Sequence, residues 1–462
     1  VISDDQSWPH AGAYGCNFVK TPAFDRVAKE GILFQNAFAA APQCSPNRAS
    51  ILTGRPIWSN REAGTHDSLF PADLITYTEL LEKAGYHIGF SHKGWAPGNF
   101  TGSGRTHNPA GRQYGDFEEF LADRNPGQPF CFWWGPTQPH RPYQTDSGTK
   151  SGKDPAAVRI PAYLPDDDIV RRDFLDYAAE IEKYDAALAQ LLDQLQMTGE
   201  QNNTLLVVTG DNGMPFPRAK TTLYDDGIHV PLAVRWPNVC VAGRTVEDLI
   251  SHIDLAPTFL EAANVEVPKT MLGRSFLDVL HSNESGKIDS TRIAVFAGRE
   301  RHTSARPDNV GYPSRAIRTE RFLYIHNFKP DRWPMGDHQD DVDNSPTKSL
   351  LIKGKQDADL AKYYELSFAK RPQHELYDIV ADQACVRNLA YEEEYAQTRD
   401  RLWLQLRQVL NEQQDPRVLG SGDIFESYPR FTAIRPIAGP DVKQGQYVQK
   451  FIQPGQTVPP GF

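Results

Sequence analysis

Through roughly the first 300 residues, short apolar runs that fit buried strands alternate with stretches of helical periodicity. Leu205-Leu206-Val207-Val208-Thr209 and Phe130-Cys131-Phe132-Trp133-Trp134 read as strands buried on both faces. From Val170 to Met197 the apolar residues Phe174, Tyr177, Ile181, Tyr184, Leu188, Leu191, Leu192 and Leu195 recur at helical spacing, and the pattern stops before Gly199, which predicts a long amphipathic helix. Thr76 to Ala84, closed by Gly85, predicts a second helix, and Asp254 to Ala263 a third. Strands alternating with helices imply an α/β fold with a large, mainly parallel sheet sandwiched by helices.

After about residue 310 the texture changes. Arg315 to Arg318 and Phe322 to His326 read as paired strands and Glu392 to Leu410 as a helix, which predicts a smaller C-terminal α+β domain. The expected division is 1–310 and 311–462. The stretch from Asp415 to Phe462 is rich in Pro and Gly and is expected to run over the surface without a core of its own. There is no internal repeat.

Length and composition narrow this further. At 462 residues and 39% hydrophobic content the chain can bury a large core plus a smaller one. No apolar run approaches the roughly 18 residues of a membrane helix. A formal charge of −10 argues against a nucleic-acid or anionic-membrane partner for the molecule as a whole, while leaving room for a local basic pocket. Four cysteines besides Cys44 (Cys16, Cys131, Cys240 and Cys385) leave two disulfides and four thiols equally open. Val1-Ile2-Ser3 reaches Asp4-Asp5 at once, so further strand residues are expected upstream, and with them room for a signal peptide and a periplasmic or extracellular location.

The chemistry concentrates in a few segments. In Cys44-Ser45-Pro46-Asn47-Arg48, Pro46 fits the first helical position, so free amides and the positive end of the helix dipole should face whatever Cys44 attacks, and Arg48 one turn on can fork onto a tetrahedral oxyanion. Asp4-Asp5 after one strand and Asp211-Asn212 after another would place four oxygen donors at the carboxyl ends of parallel strands, where open α/β sheets bind ligands. An all-oxygen set selects a hard cation such as Ca²⁺ over Zn²⁺.

The run C-S-P-N-R-A-S-I-L-T-G-R from Cys44 to Arg55 resembles the sulfatase signature C-x-P-x-R-x-x-x-x-T-G. The resemblance implies an alkaline-phosphatase-like fold, and a cysteine oxidised to formylglycine by a maturation enzyme. In its hydrated form one hydroxyl attacks sulfur and the other drives release of inorganic sulfate. It implies one calcium ion on Asp4, Asp5, Asp211 and Asn212, with Asp211 helping to deprotonate the attacking hydroxyl. Related two-zinc phosphatases have histidines where Asn212 stands. The catalytic residues carried over are Cys44, Arg48, Lys93 and Lys220, the last two contacting sulfate, and His140, in Pro139-His140-Arg141-Pro142-Tyr143, protonating the leaving oxygen. One position departs from the pattern. The family usually has Lys-x-His, and this chain has Trp95 in place of that histidine, so that either His92 substitutes from a shifted register or other groups serve.

Ser251 to Thr258 and Glu375 to Asp378 also resemble sulfatase segments, with His252 and Asp254 expected to cap a helix near Pro257. Asp211 to Pro217, Arg318 to Arg321 and Tyr324 to Asn327 look closest to the heparan N-sulfatase branch, which implies a sulfated oligo- or polysaccharide substrate with an O- or N-linked sulfate. Arg299, Arg301, His302 and Trp95 are the candidates to contact the sugar. Two rival readings stand beside this one: a phosphonate monoester or phosphodiester hydrolase of related fold, and a carbohydrate-binding relative in which Cys44 stays unmodified.

Overall fold

The computed structural model describes residues 1–303, 305–306, 310–336 and 339–431. The expected tail therefore lies outside the described residues from 432 onward.

Among the described residues twelve strands form three sheets: β1 (Ile2–Ser3), β2 (Ile32–Phe38), β3 (His87–His92), β4 (Arg112–Tyr114), β5 (Phe130–Gly135), β6 (Leu206–Gly210), β7 (His229–Arg235), β8 (Arg244–Ser251), β9 (Ala294–Arg299), β10 (Ser314–Thr319), β11 (Phe322–Asn327) and β12 (His374–Asp378). One sheet has the order β1-β6-β7-β2-β8 and another β4-β3-β5. β5 lies beside β1, and just past their ends the Asp4 N–H donates to the Gln138 carbonyl at 3.0 Å, so the two sheets run on as one layer. Within that layer β7 runs antiparallel to both its neighbours and the other pairings are parallel.

Alternation along the strands feeds two cores. Leu206 and Val208 pack on one face with Leu33, Trp134, Tyr184 and Leu188, under the long Asp168–Met197 helix. Val207 packs on the other face with Ile32, Phe34, Leu52, Leu81, Leu255 and Leu260. These last come from the helices Cys44–Thr53, Tyr77–Lys83 and Leu255–Ala262. The result is the α/β sandwich expected from the alternation of strand and helix patterns.

A separate antiparallel sheet has the order β12-β11-β10-β9. Leu402, Leu406 and Leu410 of the Ala396–Glu412 helix cover one of its faces with Ile317, Tyr324 and Leu376. Val295, Ala316, Leu323 and Ile325 pack from the other face onto Phe38, Leu223 and Leu249 of the first part of the chain. Its edge strand β9 begins at Ala294, so the small sheet starts ahead of the division expected at 310/311: β9 pairs along its length with β10, and its Gly298 N–H donates to the Ala40 carbonyl at 2.9 Å. All five cysteines are free thiols, and no helix among the described residues is long and apolar enough to cross a membrane.

Candidate active site

The helix carrying the cysteine starts earlier than the position of Pro46 suggests. Gln43 is its N-cap in extended conformation, Cys44 is the first helical residue and Pro46 the third. Proline is tolerated throughout this first turn because the N–H groups there have no intrahelical acceptor. All ten residues of the helix are buried. It ends at Gly54 (φ 61°), whose N–H returns to the Ser50 carbonyl at 2.9 Å, a left-handed cap that glycine adopts without strain.

Parallel pairing of β1 with β6, Ser3 opposite Gly210, carries Asp4-Asp5 and Asp211-Asn212 off the same end of the layer side by side. Oxygens of Asp4, Asp5 and Asp211 and the sulfur of Cys44 lie within 4.8 Å of one another, all buried. Cys44 Sγ is 3.4 Å from Asp4 Oδ1 and 3.8 Å from Asp5 Oδ1. Asp5 sits at φ 72°, a left-handed conformation that Asp tolerates better than most residues, and it turns its carboxylate inward. The Asn212 amide donates to Asp5 Oδ1 at 2.8 Å, while its own Oδ1 is buried without a partner.

This donor set fits a hard cation. Burial and the neighbouring Asp4 carboxylate hold Asp211 above its ordinary range against the pull of Arg48. Burial acts on Asp4 in the same direction, and there Lys93, with Arg48, outweighs it and brings Asp4 below its ordinary value. Three crowded carboxylates and an orphaned amide oxygen are what an oxygen-ligated dication satisfies. Burial also pushes the Cys44 thiol well above its ordinary value, with Asp4 and Asp211 adding to it.

Cations ring the quartet. Arg48 Nε donates to Asp211 Oδ2 at 2.9 Å, and Lys93 Nζ reaches both Asp4 oxygens at 2.8 and 2.7 Å. Lys220 Nζ is 2.7 Å from Asp5 Oδ2. His140 has its Nε2 3.8 Å from Asp5 Oδ2 and its Nδ1 on the Arg141 carbonyl. Residues that lie up to 216 positions apart in sequence, Asp4 and Lys220, thus meet in one pocket.

The structure adds groups that sequence reasoning missed. Asn47, a variable position of the signature, accepts from the Ala40 N–H at 2.9 Å and donates to the Asp211 carbonyl and to His252 Nδ1, the latter at 2.8 Å. Burial lowers His252 to about 4, so its ring is neutral and accepts from Asn47 at Nδ1, leaving Nε2–H to face Thr209 Oγ1 at 3.0 Å. His252 is therefore a strut beneath Asp211 and not a helix cap. Asp254 stands at the N-cap position of the Leu255–Ala262 helix, but its carboxylate does not cap that helix: it accepts from the Ser251 N–H of the preceding turn at 3.1 Å and pairs with Arg292. Replacing Asn47 by alanine strands three buried polar partners and is expected to destabilise the protein by roughly 2–3 kcal/mol, read as a fall in the denaturant midpoint at unchanged slope.

Of the proposed sugar contacts, three are used elsewhere. Arg299 is buried on Asp341 at 2.9 Å, and Arg301 is buried with its guanidinium on the Tyr428 and Pro429 carbonyls at 2.7 and 3.1 Å. Trp95 is 1% exposed, packs edge-on against Phe70 and donates its indole N–H to the Ser45 carbonyl at 3.0 Å, so it supports the cysteine helix from behind. His92 is exposed and stands against Trp134, away from the quartet. His302 lies 3.3 Å from Asp341 and edge-to-face with His66 at 4.3 Å, within electrostatic reach of Lys220. Asp343, which no sequence motif marked, reaches Lys220 Nζ at 2.9 Å.

Comparison with known proteins agrees with this architecture. The sulfatase family model matches residues 1–108 and 111–265, and the model for the C-terminal region of N-sulphoglucosamine sulphohydrolase matches 218–362. Human N-sulphoglucosamine sulphohydrolase is 28% identical over 474 residues, covering 92% of each chain. An ulvan-active sulfatase of Formosa agariphila is 29% identical over 408 residues, covering 87% of this chain and 77% of that protein. Among solved structures, a protein in complex with its substrate D-glucosamine-2-N,6-O-disulfate superposes with a TM-score of 0.68 at 21% identity, covering 90% and 97% of the two chains. A phosphonate monoester hydrolase of Silicibacter pomeroyi superposes with a TM-score of 0.65 at 18% identity, covering 90% and 96%. The fold is thus alkaline-phosphatase-like, mixed α/β with a separate small antiparallel sheet. The chain belongs to the sulfatase family.

Proposed function

We propose that this chain hydrolyses a sulfate ester or N-sulfate of a sulfated saccharide, using a formylglycine derived from Cys44 and one calcium ion held by Asp4, Asp5, Asp211 and Asn212. The observation that carries this is the placement of Cys44 Sγ 3.4 Å from Asp4 and 3.8 Å from Asp5, a reactive side chain at a helix start against a buried oxygen quartet. The ion would supply a fixed positive charge to a sulfate oxygen. The oxidation of Cys44 requires a separate maturation enzyme.

The chain's own groups supply the rest. Lys93, Lys220 and Arg48 surround the quartet and are the cations that neutralise sulfate, and because Arg48 and Lys220 are buried and all three are held on carboxylates their charge acts without reorganisation. His140 donates Nδ1–H to the Arg141 carbonyl, so Nε2, which faces Asp5, is the ring nitrogen that takes up a proton and, as imidazolium, passes it to the leaving group. The saccharide reading is supported by relatives named for ulvan and for N-sulphoglucosamine. A polymeric substrate of this kind fits a periplasmic or extracellular location.

The test is direct. Matured protein with calcium is incubated with a panel of sulfated oligosaccharides and, in parallel, with a phosphodiester and a phosphonate monoester. Sulfate release faster than phosphate or phosphonate turnover is the expected outcome; the reverse order would select the phosphonate hydrolase reading that the structural likeness keeps in view.

A further inference from the structure

Asp343 enters the pocket from a segment far from every other residue of the site. Its Oδ2 lies 2.9 Å from Lys220 Nζ, and its carboxylate forms a triangle with Asp5 and His140 whose ligand atoms are all within 4.8 Å of one another. Asp5 is the inner corner, fully buried. The side chains of Asp343 and His140 are 28% and 33% exposed, so these two form the open side, where a leaving group would lie.

The carboxylate is held on a rigid support. Two residues before it, buried Asp341 pairs with Arg299 at 2.9 Å and Arg306 at 2.6 Å and accepts from Thr303 N and Oγ1 at 2.9 and 2.6 Å. Two residues after it, Ser345 caps the Pro346–Lys353 helix by accepting from the Lys348 N–H at 3.0 Å. Lys348 Nζ binds the Val342 carbonyl at 2.9 Å and Asn344 Oδ1 at 3.0 Å on either side of Asp343. A side chain anchored this closely from both directions has its position fixed before any ligand arrives.

A carboxylate here works against sulfate binding as such. It competes for Lys220 and repels any anion beside it; burial draws Lys220 down, yet Asp343 and Asp5 together hold it well above its ordinary value. What it offers instead is acceptor capacity, since an ionised carboxylate takes about four hydrogen bonds. We propose that Asp343 is a specificity-determining residue: it accepts a hydrogen bond from a hydroxyl or amino group of the sugar beside the scissile sulfate, and it rejects substrates carrying a second sulfate or a carboxylate at that place. This rests on the sulfated-saccharide reading above and adds to it which neighbour the sulfate must have.

The experiment compares the wild-type chain, Asp343→Asn and Asp343→Glu, each matured and loaded with calcium, on two saccharides. One carries a single sulfate next to a free hydroxyl or amino group, and the other is the same sugar with that neighbour sulfated. Wild type is expected to prefer the first by roughly tenfold or more in kcat/KM, the order expected for one charge pair at this separation. Asn should lose most of that preference, chiefly through KM, and Glu should restore part of it. Inorganic sulfate, measured by calorimetry, should bind Asp343→Asn several-fold more tightly because Lys220 is released.

An equal fall on both saccharides, or an unchanged ratio with unchanged sulfate binding, would overturn the proposal. If neither wild type nor variant releases sulfate from either saccharide, the saccharide reading fails. The calorimetry then decides on Asp343 alone: tighter sulfate binding by the Asn variant supports its charge gating the pocket, and unchanged or weaker binding defeats it.

Discussion

Cys44→Ala is expected to lower sulfate release by at least about 10⁴-fold with little change in fold, the scale on which removing a covalent nucleophile acts. The side chain is small and buried at the first position of a helix, and alanine fits that space, so the cost in packing is on the order of 1 kcal/mol. What is lost is the atom that stands 3.4 Å from Asp4 Oδ1 and faces the cationic ring of Lys93, Lys220 and Arg48. Serine in its place keeps a hydroxyl and is expected to be nearly as inactive, because the proposed chemistry needs two oxygens on one carbon. Initial rates at saturating substrate, with the intact mass of the Cys44 peptide for each preparation, check this. Activity of Cys44→Ala within tenfold of wild type would place the nucleophile elsewhere.

The second large effect belongs to Asp211. Asp211→Asn is expected to reduce turnover by roughly 10³-fold and to abolish calcium-dependent stabilisation. Its Oδ1 accepts from the Asp5 N–H at 3.0 Å and its Oδ2 from Arg48 at 2.9 Å, so one carboxylate couples the two strand ends to the cysteine helix. The crowded carboxylates already have Arg48, Lys93 and Lys220 as partners, and calcium adds ligand bonds that only the folded site offers. Calcium at about a thousand times its dissociation constant should stabilise the wild type by about 4 kcal/mol. In thermal scans with calcium and with chelator the wild type should show a clear separation and the variant almost none. Equal separations in both proteins would remove Asp211 from the ligand set, whatever the activity shows.

Much of the architecture is legible in the sequence. The long helix from Val170, read off eight apolar residues at helical spacing, is found at Asp168–Met197, and the strand Leu205–Thr209 at Leu206–Gly210. These elements are strongly periodic, and burial of one stripe or of both faces leaves a pattern that tertiary contacts do not overrule. Proline marks a first turn without fixing which of its positions it takes, and here the helix begins at Cys44, two residues ahead of Pro46.

The reading of individual side chains divided along a different line. Motif positions on strand ends and at the helix start, Asp4, Asp5, Cys44, Arg48 and Asp211, come together because the register of β1 on β6 and the first turn of one helix place them. Arg299, Arg301 and Trp95 looked like pocket residues because charge and aromaticity suggest contact with a sugar. In the fold their polar atoms serve backbone carbonyls and Asp341, needs that arise only once distant segments pack. His252 opens a helical segment and so reads as a cap along the sequence, whereas its partner, Asn47, lies 205 residues away.

By itself, then, the sequence determined the alternation of strands and helices, the cysteine at a helix start and the carboxylate pairs that follow two strands, since each of these is a pattern of residues close together along the chain. The tertiary structure decided which cations face those donors, that Trp95 supports the cysteine helix rather than the pocket, and that Asp343 stands at its mouth. Those are distances between segments brought together by packing, and no local pattern encodes them.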